Sequence, residues 1–308
     1  MPGLHNATLR QLQIFASAAR HQSFSRASAE LHLTQPAVSM QVRQLEENAG
    51  VSLFERVGRR VCLTSAGEEL LTYTQRILGT IQDAEDTFAT IKAVRSGKLT
   101  IAAVSTAKYF APKLLALFQQ RHPNVELKLV VNNREAVVAQ LSANEIDLAI
   151  MGTPPQSVAT ESAPFAPHPL VIIAPPDHHL APRKRIPLRE LEGETFIVRE
   201  RGSGTRSAME LHFRKHKVRI KLGMETSSNE TIKQAVMAGM GLAFISQHTL
   251  GVELATQQLA ILRVQTLPVM RQWNLVHRRE KRLSPAAIAF KTFMLETGPP
   301  FLQRWSAA

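Results

Sequence analysis

Cysteine is nearly absent: Cys62 is the single one in 308 residues. No disulfide can form within the chain, so nothing points to an oxidising compartment, and Cys62 reads as a small apolar residue in a strand. Aromatic residues make up only 6%, low but outside the range of disordered chains. No apolar run reaches the roughly 18 residues a membrane span requires. Met1–Thr8 lacks a cationic head followed by an apolar core, so no signal peptide is expected and the chain is placed in the cytoplasm, without a membrane partner. Spaced Cys and His ligands are missing. His178 and His179 are adjacent but have no third and fourth ligand in register, so they read as solvated loop residues and no metal site is expected. Nucleophile elbows and Walker loops are also missing, and Gly202-Ser203-Gly204 lacks the context of a dinucleotide fingerprint. No catalytic residues are expected.

The chain does have positive charge, +12 in all. Residues 1–95 hold 10 Lys+Arg against 9 Asp+Glu, and residues 96–308 hold 27 against 16. Basic proteins are candidate nucleic-acid binders. Here the excess lies in the larger, C-terminal part, which suits either a solvated basic surface or a site for an anion.

Leu12, Phe15, Ala16 and Ala19 are spaced i, i+3, i+4, i+7 and predict one apolar helix face. A second short helix is expected over residues 25–31, with Phe24, Ala27 and Leu31 packing on the first. His32-Leu33 makes the turn. Thr34 is a good N-cap, and Pro36 falls in the first turn, where its missing N–H is harmless. The third helix should run to about Ala49 and stop at Gly50. Val38, Val42, Leu45 and Ala49 form its inner face. Gln35, Ser39 and Arg43 point elsewhere, flanked by Pro36 and Met40. Gln pairs with adenine, Arg with guanine and Ser with either, so this is the layout of a DNA-reading helix-turn-helix. Ser25, Arg26 and Thr34 join the DNA-contact candidates.

Leu53–Thr64 reads as two short strands around Gly58, with Arg56, Arg59 and Arg60 at the tip. Such a wing would lie along phosphates, adding salt-dependent affinity without reading sequence. Arg43→Ala should therefore lower discrimination, and Arg59→Ala should weaken all sequences alike. Ser65 and Glu68 have capping-box spacing and open a long helix to about Val94, roughly 45 Å at 1.5 Å per residue. Within it Leu70, Thr74, Ile77, Ile81, Ala84, Phe88 and Ile91 form a heptad seam. A second copy is its expected partner, with Leu70, Ile77, Ile81, Phe88 and Ile91 as dimerisation residues. Arg95–Lys98 forms the hinge.

Beyond the hinge, short strands alternate with helices. Strands are expected at 99–104, 125–131, 147–151, 171–174, 195–198, 220–225 and 242–245, in a largely parallel sheet. Pro164, Pro167 and Pro169 mark one crossing between two lobes, and Val264–Val269 the return. The division is 1–64 for a winged helix-turn-helix, 65–95 for a linker helix and 96–308 for a bilobal α/β domain, its lobes being about 96–167 with 269–298, and 168–268.

The chain resembles the LysR-type transcriptional regulators along nearly its whole length. The likeness is carried by Leu12…Phe15, Ser23-Phe24…Ala27-Ser28, Leu33-Thr34-Gln35-Pro36-Ala37-Val38-Ser39, Leu45-Glu46, Leu53-Phe54-Glu55-Arg56 and Leu63-Thr64-Ser65-Ala66-Gly67. Ala238-Gly239-Met240-Gly241-Leu242-Ala243-Phe244-Ile245 is similar to the family's late Gly-rich segment. Within the family the chain looks most like regulators of Calvin-cycle operons. The resemblance implies an α+β multidomain chain with a coiled-coil linker helix and a periplasmic-binding-protein-like effector domain. It implies a homotetramer, a dimer of dimers, that binds and bends an inverted-repeat operator in double-stranded DNA and works with RNA polymerase. It implies no enzyme cofactor, but an anionic effector such as a phosphorylated metabolite or NADPH in the inter-lobe cleft.

Residues that follow strands and open helices are the effector candidates: Ser105, Thr106 and Lys108; Asn133 and Arg134; Thr153; Arg201, Gly202, Ser203, Gly204, Thr205 and Arg206; Ser228 and Asn229. Free N–H groups, hydroxyls and cations suit an anion there, with Arg201 and Arg206 expected to clamp a phosphate. Each also has a bland explanation as a helix cap or turn residue. The alternatives are a LysR-type regulator of aromatic catabolism or amino-acid metabolism, and a solute-binding receptor, which the winged module argues against.

Overall fold

Thr8 starts the first helix, α1 (Leu9–His21), with a reciprocal cap: its hydroxyl accepts from the Gln11 N–H, and the Gln11 side chain accepts from the Thr8 N–H. The structure, a computed structural model, describes residues 3–57, 60–92 and 97–307. The chain divides into two units, one reaching residue 87 and including 142–145, the other made of the remainder.

In the first unit, Ser23 caps α2 (Phe24–Glu30) and Thr34 caps α3 (Gln35–Ala49). Gly50, at φ +71°, ends α3 in the left-handed conformation. Ile14, Ala18, Ala27, Val38 and Val42 form one core cluster, and Leu12, Phe15, Leu45 and Leu53 another. The expected face of α1 is rotated: Ala16 and Ala19 are only half-buried, while Gln11, Ile14 and Ala18 are buried. Two clusters on adjoining sides of α1 shift the centre of its buried stripe. Ala49 is likewise half-buried. Strands β1 (Phe54–Val57) and β2 (Arg60–Leu63) pair antiparallel; Gly58 and Arg59 lie outside the described residues. The Glu46 carboxylate accepts from the N–H groups of Leu53 (2.8 Å) and Phe54 (3.1 Å), tying the hairpin to α3.

Helix α4 spans Ser65–Lys92. Its cap is Thr64, whose hydroxyl accepts from Gly67 N–H, and not Ser65 with Glu68: the helix begins one residue earlier than that spacing needs. Leu70 packs against the Phe15–Leu45 cluster and Thr74 is fully buried within its own chain. The seam is thus split: its first two positions serve the chain's own core, whereas Ile77 is 43% exposed and Ile81 half-exposed. The side chains of Phe88 and Ile91 lie outside the described set.

The second unit contains β3 (Gly97–Val104), α5 (Ala111–Arg121), β4 (Val125–Asn132), α6 (Arg134–Ser142), β5 (Leu148–Met151), β6 (Thr160–Ala174), β7 (Thr195–Arg199), α7 (Gly204–Lys215), β8 (Lys221–Thr226), α8 (Asn229–Met237), β9 (Leu242–Ser246), α9 (Gly251–Ala255), β10 (Ala260–Ile261), β11 (Val269–Arg278) and α10 (Pro285–Ala307). One sheet runs β4-β3-β5-β11-β6-β9-β7-β8, with β10 on β6. It is parallel within each end (β3 with β4 and β5, β7 with β8 and β9) and antiparallel in the middle.

The middle corrects the largely parallel sheet expected. Both crossings are themselves long strands, β6 and β11, and the return lies at 269–278 rather than 264–269. The three prolines concealed β6. They pair with Asn274, Gln272 and Met270, and an irregularity beside Trp273 keeps all three in one phase of the ladder. Each missing N–H therefore faces away from β11, where a strand tolerates proline. Between β6 and β7 there is a short 3-10 turn at Leu188–Leu191 instead of the expected helix.

Each end has its own core. Leu99, Ile101, Phe110, Phe118, Leu148, Ile150, Trp273 and Phe290 fill the first. At the other end, Leu170, Ile172, Phe196, Val198, Leu242 and Phe244 fill one face, and Val171, Ile173, Ile197, Ala243 and Ile245 the opposite one. That is the strand period of two, with a sheet covered on both sides.

Candidate functional site

Helix α3 buries Val38, Val42 and Leu45 and leaves Thr34, Gln35, Pro36, Met40 and Arg43 exposed, with Ser39 half-exposed. Gln35 donates to the Ser39 hydroxyl at 2.9 Å, and Arg43 lies 3.4 Å from Glu47 across one exposed turn. Such surface pairs are weak, so both side chains are free to exchange partners. The Thr34 hydroxyl caps the helix. Ser25 and Arg26 are exposed on α2, and Arg56 on β1. Arg59 lies outside the described residues, as does the side chain of Arg60. Beneath this face, Glu30 accepts from Ser17 and Arg20 and meets His21. These partners, Ser17 first, hold its carboxyl below the usual value and pin α2 to α1.

A second site lies in the second unit, where residues from both ends of its sheet come together. A narrow cleft of about 20 Å³ is lined by Ser105, Thr106, Arg134, Gly152, Thr153, His168, Arg199, Ser203, Gly204, Thr205 and Arg271 beside Val104. Three of these are cations. Arg199, 2% exposed, donates to Asn229 Oδ1 (2.7 Å), Ser105 Oγ (2.8 Å) and Glu200. Among the described residues, Arg134 donates only to the Pro154 carbonyl and Arg271 only to the Gly204 carbonyl, at 3.4 and 3.0 Å. Among the described residues neither guanidinium has a carboxylate partner. Burial, and then Arg134, push the Arg271 guanidinium below its usual pKa. Two facing cations raise the free energy of the empty cleft, and an anion would relieve it. Gly204 and Thr205 open α7 there, presenting a helix N-terminus with the same preference.

The cleft gathers seven of the residues expected from sequence: Ser105, Thr106, Arg134, Thr153, Ser203, Gly204 and Thr205. The others sit elsewhere. Arg201 is exposed and does not line the cleft. Arg206 is buried, but its guanidinium is engaged by Glu210, Glu225 and the Arg199 carbonyl. The expected Arg201–Arg206 clamp is therefore not formed: Arg201 is exposed, and the Arg206 guanidinium is taken up by two carboxylates and the carbonyl at the end of β7. Gly202, at φ +83°, turns the chain, and its carbonyl accepts from Glu135 N–H; it packs on α6. Asn133 and Ser228 cap α6 and α8. Lys108 lies over the Tyr109 ring. Asn229 acts behind the lining, through Arg199 and the Ser105 carbonyl.

Arg199 and Gly152 belong to the segments 199–206 and 152–153 expected beyond strand ends, whereas Arg271 and His168 escaped sequence reading because they lie in stretches of β11 and β6 that read as crossings.

Away from the cleft, His178, His179 and Glu194 bring their ligand-type atoms together, each imidazole Nε2 being 3.6–3.7 Å from the carboxylate. His178 Nδ1, however, accepts from Leu180 N–H. That leaves the proton on Nε2, the nitrogen a metal would need.

Residues 9–68 match the bacterial regulatory helix-turn-helix family of lysR type, and residues 92–299 the LysR substrate binding domain. A RuBisCO operon transcriptional regulator of Allochromatium vinosum is 51% identical over 94% of this chain and 96% of that protein. The HTH-type transcriptional regulator CfxR of Cupriavidus necator is 50% identical over 98% and 95%. The Synechocystis CcmR regulatory domain, solved in complex with 2-PG, is 41% identical, with a TM-score of 0.63 over 65% of this chain and 96% of that one. A helix-turn-helix followed by a hairpin, an α/β unit with a cationic cleft, and relatives of this closeness over almost the full length lead to one assignment: the chain belongs to the LysR family of DNA-binding transcriptional regulators, and it is not an enzyme.

Proposed function

We propose that this regulator activates Calvin-cycle genes for carbon fixation in response to a small phosphorylated or carboxylated anion held in the cleft. The reading is carried by Arg134 and Arg271, two cations that face one space and have no carboxylate partner among the described residues. The names of the relatives supply the operon class, and the 2-PG of the CcmR domain suggests 2-phosphoglycolate as a probe.

In this account residues 1–64 bind DNA, 65–95 join two copies and 96–308 receive the effector. Gln35, Ser39, Met40 and Arg43 enter the major groove of an inverted repeat. Ser25, Arg26, Thr34, Pro36, Arg56, Arg59 and Arg60 lie against the phosphates. The exposed stretch of α4 from Ile77, continued by Ile81, Phe88 and Ile91, pairs with a second copy as a coiled coil, and two dimers form the tetramer. The two lobes behave like those of a periplasmic binding protein: an anion between them favours one closure, and a coupling of about 1–3 kcal/mol suffices to respace two DNA-binding dimers for RNA polymerase.

Gel shift of the full chain on its RuBisCO-operon promoter fragment tests this. Binding should fall steeply with salt, and 2-phosphoglycolate should change the mobility of the complex. Equal affinity for random DNA, or mobility indifferent to every phosphorylated probe, would overturn it.

A further inference from the structure

Among the described residues, His168 is the one side chain at the cleft with a buried polar atom left unmatched. It lies on β6 directly across from Arg271 on β11, so the two side chains project from the same face of the sheet. It is 3% exposed. Its ring stacks on Trp273, with centroids 3.8 Å apart and planes at 14°. Nε2 meets the Ser246 hydroxyl at 3.0 Å. Nδ1 has no hydrogen-bond partner among the described residues.

Gly152 keeps that nitrogen open. A Cβ at position 152 would stand 3.0 Å from Nδ1 and 3.7 Å from Arg271 Cζ, so any side chain there would shut Nδ1 off from the cleft. Burial, then Arg271 and His248, hold the imidazole neutral, so one ring nitrogen carries a proton and the other a lone pair. Next to the Arg271 guanidinium, the lone pair is the better choice for Nδ1, with Nε2–H donating to Ser246. Nδ1 is then an acceptor among groups that otherwise donate: guanidinium groups, a helix N-terminus and hydroxyls. An anion without a hydrogen-bond donor satisfies the arginines and leaves Nδ1 orphaned in a desolvated site.

We propose that His168 is a specificity-determining residue of the cleft, its Nδ1 accepting a hydrogen bond from a hydroxyl carried by the bound anion. The preferred ligand class is then a hydroxylated phosphate or carboxylate rather than its deoxy counterpart. The proposal rests on the anion reading of the cleft, and a matched pair of probes separates the two.

Calorimetry on the full chain would compare 3-phosphoglycerate with 3-phosphooxypropionate, the same acid without its hydroxyl. The hydroxylated probe should bind about tenfold more tightly, the discrimination of one satisfied hydrogen bond. His168→Phe retains a ring to stack on Trp273 and should remove the preference while still binding the deoxy probe. His168→Asn, whose amide oxygen can stand in for Nδ1, should restore it. Gly152→Ala leaves His168 in place and should remove the preference as well, which guards against misfolding of the Phe variant. Equal affinities in the wild type, or a preference that survives His168→Phe, would overturn the His168 proposal alone. Binding of 2-phosphoglycolate with neither three-carbon acid would also overturn it and leave the anion cleft standing. Binding of no phosphorylated acid would overturn both.

Discussion

The α3 face and the cleft solve recognition in opposite ways. Gln35, Met40 and Arg43 stand in water on one 15-residue helix, held from behind by Val38, Val42 and Leu45. The cleft draws its lining from residues between 104 and 271, most of them buried or half-buried, with Arg199 fixed by three partners. An exposed face can be rearranged by the molecule it meets. A buried one must be built in advance, because each unmatched donor or charge inside it costs free energy before any ligand arrives. The difference shows that unmatched polar groups are the signature to look for in the cleft, and exposed polar types at helix spacing the signature on α3.

The two regions should fail separately. Phe15→Ala would open a cavity under α3, where Phe15 is fully buried against Leu12, Leu45 and Leu53; a loss of about 3–5 kcal/mol is expected. DNA binding should collapse while calorimetric binding of anions to the second unit persists. Simultaneous loss of both would mean that the regions are not independent.

The second unit has its own weakness at low pH. Burial lowers the pKa of His248 from 6.5 to about 4. Because the folded value is depressed, the unfolded chain takes up its proton first as pH falls. Stability contributed by neutral His248 is intact above pH 6.5 and lost progressively towards pH 4, by roughly 3 kcal/mol at 1.36 kcal/mol per pH unit. Urea unfolding at pH 7 and pH 4.5 should show His248→Asn losing less than the parent chain over this window. An identical loss would remove His248 as the cause.

On the DNA side, Arg43→Ala should reduce discrimination at one operator base pair by about 1–3 kcal/mol, with little effect on random sequence. Arg56→Ala should weaken both alike. Fluorescence anisotropy on the two DNAs separates these outcomes, and a uniform loss from Arg43→Ala would reassign it to the phosphates. The smallest effect is expected at Glu46. Its alanine variant unties the Leu53 and Phe54 N–H groups, and these, half-buried at the hairpin entry, should lower melting stability by about 1 kcal/mol. No change would show that water replaces the carboxylate there.

Local patterns were legible and non-local ones were not. The caps at Thr34 and Gly50, the Val38, Val42 and Leu45 positions of the inner face of α3 and the hairpin follow from neighbours a few residues apart, and each stands as expected. The twist of α1 towards Ile14 and Ala18 was hidden because both sides of the helix carry apolar residues. The part of β6 before the expected 171–174 was hidden because Pro164, Pro167 and Pro169 read as breakers until their common phase against β11 is visible. With that part of β6 and β11 unrecognised, His168 and Arg271 could not be placed at the cleft, and Arg201 and Arg206 stood in as the nearest visible cations. Segments were therefore found correctly, and among the cleft's cations Arg134 was found with them while Arg271 was not.

The central claim is that Arg134 and Arg271, and not the sequence-adjacent Arg201, hold an anionic effector. Titrating 2-phosphoglycolate into the full chain and into Arg271→Ala and Arg201→Ala tests it most directly. Saturable binding that Arg271→Ala weakens by about a hundredfold and Arg201→Ala leaves unchanged is the expected result. Undiminished binding in Arg271→Ala, or a loss confined to Arg201→Ala, would contradict the account.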